Sequence, residues 1–356
     1  MIKVTPYMNE IPLGNNQVMK EFFLERGTLV AIPDECETAP QRSTEMDRLV
    51  ALYHAENFIQ IDGRKIPAIY EGTYRLSDIT MKTLDEEFKP SSRFRKAITA
   101  RRGKALDKLL ANGGHDGKNV SVRDWTISPE GVTLIGQPMY YTQFKATDAA
   151  QDDPLQPYDN SFPENATLQD YVVVNGRESR KGTDTLSNLL GAAFIVRAKG
   201  QDEQDYFVLG RRRQNGKASS GRDLSVIGGT PMWENDFFRE KNADFANYMK
   251  KLGTEEHEEE LLLHPDEIEI GKDVYLIRTL VRVFDPFYTV DIDPKITVED
   301  IAVRCYGNVN ALEEHDRLYA LPQTAEALHG LLNNKRGYSV GQGTLAGLHL
   351  ALQGKK

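Results

Sequence analysis

The spacing of apolar and polar positions changes character several times along this chain. The first third mixes short apolar runs, TLVAIP and IPAIYEGTYRL, with a polar stretch from about Thr80 to Leu110. That stretch predicts a helix, because acidic residues gather at its start and basic ones towards its end, as the helix dipole favours. VSVRDWTISPEGVTLIGQPMYYTQFKA predicts two strands about the turn signal SPEG. Residues 147–170, dense in Asp, Asn and Pro, read as a linker or a long surface loop. LLGAAFIVRA and DYFVLGRRR are apolar runs separated by the polar KGQDEQ, and they predict a hairpin. LSVIGGTPMW is an apolar strand entering two glycines, where the missing Cβ lets the backbone turn and approach a ligand closely.

From Asp236 to Leu252 the residues Phe237, Phe238, Phe245, Tyr248, Met249 and Leu252 recur at roughly helical spacing. They predict a core-packed helix with Gly253 as its C-cap. Thr254 is then placed to cap a second helix, which opens with EEHEEELLL. VYLIRTLVRVF predicts a strand, and the terminal GTLAGLHLALQGKK predicts a short packing helix. No internal repeat is evident.

Composition adds a scale to this pattern. At 356 residues, 40% hydrophobic and 27% charged, the chain is expected to form two units, an N-terminal α+β accessory domain over 1–160 and a second domain over 171–345. The net charge of -9 argues against general nucleic-acid binding. No stretch has the apolar length of a membrane span, and MIKVTPYMNEIPLGNNQ lacks the order of a signal peptide, so a cytoplasmic protein with no membrane partner is expected. Cys36 and Cys305, far apart in sequence, are expected to be reduced thiols.

The candidate chemistry begins with EEHEEE. Glu256, Glu259 and Glu260 stand in the i, i+3, i+4 relation that brings three carboxylates onto one helical face, whereas Glu255 and Glu258 lie off it. Three neighbouring carboxylates repel one another unless a divalent cation or water offsets the charge, and hard oxygen donors suit Mg2+ or Mn2+. An acidic first turn that stabilises the helix dipole accounts for the same run without a metal. Arg211, Arg212 and Arg213 end a strand, where alternate side chains could pair with phosphate oxygens or simply form an exposed basic turn. His315 has the acidic neighbours Glu313, Glu314 and Asp316, which could hold it protonated or supply another metal ligand. Tyr140 and Tyr141 could stack on a base or cover a core edge, and Asp124 and Trp125 are similarly open. Walker, HExxH and strand-borne GxGxxG motifs are absent.

Taken in order, the pieces between about residues 186 and 333 resemble the Nudix superfamily, whose box reads G-x5-E-x7-R-E-U-x-E-E-x-G-U. Gly228 and Glu234 match its first half. After an inserted helix, Glu256 matches the glutamate of the Arg-Glu pair, Glu259 and Glu260 the paired glutamates, and Leu263 the last aliphatic position. Glu255 stands where the box has arginine and Leu262 where it has glycine. A competing register over ANYMKKLGT keeps Gly253 but puts Ala246, Asn247, Lys250 and Lys251 at the Arg-Glu-Glu-Glu positions. The resemblance implies a Nudix-like mixed-sheet α/β/α sandwich following the accessory domain. It implies Mg2+ or Mn2+ on Glu256, Glu259 and Glu260, which would also be the catalytic residues, substrate contacts from Arg211, Arg213, Gly228 and Gly229, and an acid or base on a loop near Glu314 and His315. The implied activity is hydrolysis of a nucleoside diphosphate linked to another moiety; an inactive domain of this kind would bind a nucleotide or a protein. A homo-oligomer is compatible with either.

Overall fold

The computed structural model describes residues 6–25, 47–179, 181, 184–212, 223–233, 244–279, 285–333 and 339–354. The chain begins with a hairpin of β1 (Met8–Gly14) and β2 (Gln17–Phe23), and a second hairpin follows from β3 (Phe58–Ile61) and β4 (Arg64–Arg75). β5 (Ile79–Thr83), β6 (Lys118–Ser128) and β7 (Gly131–Tyr140) make a separate small sheet, and β8 (Val173–Val174) with β9 (Arg177–Glu178) a short ribbon. Next come the hairpin of β10 (Ala192–Lys199) and β11 (Asp205–Arg212), and the short β12 (Asp223–Ser225) and β13 (Ile227–Gly229). β14 (Ile268–Thr279), β15 (Asp285–Ile292), β16 (His315–Pro322) and β17 (Ser339–Val340) complete the set.

Among the described residues one mixed sheet gathers twelve of these strands, nine along the path β1, β2, β16, β11, β10, β15, β14, β4, β3, with β12, β13 and β17 attached off it. β10 runs parallel to β15 and antiparallel to β11 and β13. The alternation of strand side chains divides the core into two layers. On one face Phe194, Val196, Tyr206, Val208, Tyr288 and Leu318 pack against Tyr248, Met249, Leu252 and Leu261 of the helix Phe245–Leu261, and against Val120 and Leu134 of the small sheet. On the other, Ile195, Phe207, Leu209, Phe287 and Tyr319 pack against the helices Ala325–Leu332 and Gln342–Gln353. The result is the expected α/β sandwich, with helices on both sides of a mixed sheet.

Several expectations change. The division at 1–160 and 171–345 does not coincide with the sheet, because β2 pairs with β16 and β4 with β14. Residues 147–170 are no linker: Leu155, Phe162 and Leu168 are buried with Phe94, Ala97 and Ile98. Arg101 donates to the carbonyls of Ala150, Asp153 and Pro154 at 3.0, 2.5 and 3.1 Å, and the buried Asp148 accepts from Ser187 N and Asn188 N at 3.0 and 3.2 Å. The polar loop is thereby fixed from within. The helix expected from Thr80 starts at Arg95, since Ile79–Thr83 forms β5 beside β7. Cys305 is a buried free thiol whose pKa burial pushes up to about 12; Cys36 lies outside the described residues.

Candidate functional site

The acidic run does not open a helix of its own. A single helix spans Phe245–Leu261, capped by Asp244, whose side chain accepts from Ala246 N at 2.9 Å and Asn247 N at 3.3 Å. Gly253 and Thr254, expected as a stop and a start, lie inside it. Gly253 is there for close packing: a Cβ would fall 2.6 Å from Phe194 Cε1 and 2.8 Å from Ile270 Cδ1. Thr254 bonds back to the Lys250 carbonyl at 3.0 Å, as a helix-interior threonine can. The carboxylates therefore belong to the last turns, where the dipole disfavours them. An acidic N-terminal turn no longer explains EEHEEE.

The helix ends at Leu262, whose φ of 54° places it in the left-handed region. Glycine suits that conformation best, so the departure of residue 262 from the box falls where the backbone asks for glycine. Leu263 N closes the turn on the His257 carbonyl at 3.2 Å.

The three candidate glutamates meet different surroundings. Glu256 is half-buried, and a Cβ on Gly229 would fall 1.9 Å from its Oε1, so the carboxylate lies against the Gly229 main chain. Glu259 is exposed. Glu260 is buried, and its Oε2 lies 2.5 Å from His315 Nε2. His257, within the same run, is wholly core: its Nδ1–H donates to the Gly253 carbonyl at 2.6 Å, its ring meets Phe194 edge-on, and burial pushes its pKa down. Glu255 is exposed beside Lys251 at 3.6 Å, and Glu258 is exposed too.

These positions also test whether a divalent cation fits. Among the described residues no group of three or more His, Cys, Asp or Glu side chains is arranged to hold a metal ion. Glu256 and Glu259, one turn apart, have the hard-ligand character that Mg2+ or Mn2+ requires, and of the two Glu256 lies against Gly229. Glu260 differs from them in being buried, with its Oε2 on His315.

The glycine strand is held from two sides. Gly228 and Gly229 pair with Ala193 and Ala192 of β10, and a Cβ on Gly228 would strike the Ala192 carbonyl at 2.4 Å. Past it, Pro231 O accepts from Val120 N at 3.1 Å and Trp233 N donates to Lys118 O at 2.8 Å, so β6 forms one wall of the Gly229 loop. Glu234 lies outside the described residues.

Arg211 is turned to Asp316 rather than to an open pocket, through a bidentate contact whose Nε–Oδ1 distance is 2.7 Å. Arg213 and the side chain of Arg212 lie outside the described residues. His315 is not on a loop: it is the first residue of β16 and is completely buried, while Glu314 ends the helix Val309–Glu314. The Tyr140 ring is covered by Arg102 at 4.6 Å and Lys118 at 5.2 Å, and Tyr141 packs on Phe144. Asp124 accepts from Trp125 N at 2.8 Å, and Lys181 lies 5.7 Å from the Trp125 ring. The sequence reading missed the buried group in which Arg317 and Tyr319 both donate to Glu21 Oε1, the tyrosine at 2.7 Å. Only the pairing of β2 with β16 reveals it.

No family model matches this chain, and no curated protein matches it. Among solved structures it is similar to a Nudix hydrolase from M. smegmatis, RenU, at 9% identity and a TM-score of 0.30, over 47% of this chain and 86% of that one. Among the described residues no helix is long and apolar enough to cross a membrane.

Proposed function

We propose that the protein is a Nudix-type hydrolase that cleaves the diphosphate of a nucleoside diphosphate joined to another moiety. The observation that carries this reading is the contact of Glu256 with Gly229, which brings the two halves of the box together across the residues inserted between them. Glu256 and Glu259 would hold Mg2+ or Mn2+ on the exposed face of the helix, and the cation would supply positive charge to offset that of the diphosphate. Gly228 and Gly229 make room for the Ala192 carbonyl and the Glu256 carboxylate respectively, and Glu256 or Glu259 would take the proton of the attacking water. The test is a screen of ADP-ribose and dinucleotides with Mg2+ and Mn2+, following release of the mononucleotides. Metal-dependent cleavage lost in Glu259→Gln supports the reading, and no cleavage of any compound removes it.

A second reading, a nucleotide-binding or protein-interaction module without turnover, draws support from the engagement of Arg211 by Asp316 and of Glu260 by His315. Both groups that the resemblance assigns to the site are already satisfied within the chain. Saturable binding of ADP-ribose without cleavage would favour this reading.

A further inference from the structure

We propose that the helix Arg95–Ala111 is a docking surface for a single strand of nucleic acid, whose phosphates lie along its cations and whose bases meet the tyrosines beside it. The net charge of -9 is unevenly distributed along the chain. This helix holds Arg95, Lys96, Arg101, Arg102, Lys104 and Lys108 against Asp107 alone, six basic residues and one acidic one, a balance of +5 in 17 residues. Of the six only Arg101 is buried, and its guanidinium serves the carbonyls of the 147–170 loop. Arg95, Lys96, Lys104 and Lys108 are exposed and Arg102 is half-buried. Lys96 and Arg102 meet Asp159 and Asp116 at 3.2 and 3.5 Å. Among the described residues no carboxylate lies within ion-pair distance of Arg95, Lys104 or Lys108.

Three features of the helix cost it stability. Its positive end opens on Arg95 and Lys96, with no acidic residue in the first turn and no side-chain cap, against the dipole. Lys104 and Lys108 stand at the i, i+4 spacing at which like charges repel. Between Arg102 and Lys104, Gly103 occupies a mid-helix position where alanine is favoured. Packing does not require this glycine: among the described residues a Cβ there would meet nothing within 4 Å, in contrast to Gly253. A polyanion laid along the helix offsets the first two costs, and the bare backbone at Gly103 lets a phosphate come close between two cations.

The neighbouring rings decide which polyanion fits. Half-buried Tyr140 lies under Arg102 and Lys118, at 4.6 and 5.2 Å from its centroid. Half-buried Tyr158 lies under Lys104 and Arg101, at 4.6 and 5.2 Å. Arg102 and Lys104 are about 200° apart around the helix, so the two pairs stand on opposite flanks with Gly103 between them. Aromatic faces and guanidinium planes both take a stacked base, for which an acidic peptide has no use. A duplex keeps its bases paired inside, whereas a single strand presents them. From Arg95 to Lys108 the helix runs about 20 Å, a length in keeping with single-strand sites of about 4–16 nucleotides.

The test uses the full chain and a fluorescently labelled oligothymidine of about 15 nucleotides, with anisotropy followed across a salt series. Divalent cations are left out of the buffer, so the outcome is independent of the hydrolase reading. The expected result is binding that weakens steeply with salt. The slope of log affinity against log salt should be shallower by about 0.7 in each of Lys104→Gln and Lys108→Gln, and unchanged in Lys295→Gln, an exposed cation elsewhere. Gly103→Leu should melt no lower than the wild type, yet lose at least about fivefold in affinity, the lower end of what one stacked base contributes. A purely structural role would move the melting temperature and leave the slopes alike. Unlabelled strand should displace the probe at a concentration at least about tenfold below that of polyglutamate of equal charge. No salt-dependent binding, equal slopes in the three lysine variants, unchanged affinity in Gly103→Leu, or equal displacement by polyglutamate overturns the proposal, the last by making the surface one for an acidic protein.

Discussion

The carboxylate of Glu256 and the main chain of Gly229 touch so closely that no side chain fits at position 229, where a Cβ would fall 1.9 Å from Glu256 Oε1. Gly229→Ala should therefore evict the carboxylate. Its flexible end can move, so the stability loss should stay near the low end of overpacking, about 1 kcal/mol. Mg2+ affinity should fall by far more than that loss suggests. Thermal melting beside calorimetry separates the two effects.

Gly253 gives the opposite balance. Alanine is worth roughly 1 kcal/mol more than glycine inside a helix, yet here its methyl would meet Phe194 and Ile270 at 2.6 and 2.8 Å. Overpacking at about 1–3 kcal/mol should win, and Gly253→Ala should lower stability in denaturant titration. A stabilised variant would mean that the helix and β10 are further apart than described.

At the helix end the usual order of glycine and alanine should reverse. Leu262 has a φ of 54°, so Leu262→Gly should be more stable than Leu262→Ala by about 1 kcal/mol, the cost of a left-handed residue that carries a Cβ. Finding the alanine variant more stable would show that the helix continues through residue 262.

Much of the sandwich was legible where patterns are local. The β10 and β11 hairpin follows from two apolar runs and one polar turn, and β6 with β7 from SPEG. The pairing of β2 with β16 and of β4 with β14 was not, because registry between distant segments leaves no local periodicity. Within the site, the spacing of the glutamates was readable but not their surroundings. Gly253 and Thr254 carried the chemistry of a helix break, and tertiary packing on Phe194 overrode it. The resemblance placed an acid or base near His315 on a loop, yet the residue begins a buried strand. The Asp, Asn and Pro of 147–170 suggested a linker, and Arg101 supplied the donors that fix it as a packed loop.

Acid sensitivity should trace partly to Glu267. The Arg304 guanidinium, at 2.6 and 2.8 Å from the two oxygens, holds this carboxyl down at about 2. Because the folded value is depressed, the contribution is fully present above the ordinary carboxylate range and is lost as pH falls towards about 2. Glu267→Gln should lower stability at neutral pH and flatten the acid limb between those limits, as melting across pH would record.

On the proposed function, the face of the helix Phe245–Leu261 carrying Glu256 and Glu259 would bind a divalent cation beside Gly229. Calorimetric titration of Mg2+ into the metal-free wild-type, Glu256→Gln and Glu258→Gln proteins tests it most directly. The expected result is saturable binding in the wild type, unchanged binding in Glu258→Gln, and a loss of at least about tenfold, or roughly 1.4 kcal/mol, in Glu256→Gln. No binding in the wild type, or the same affinity in the two variants, would contradict it.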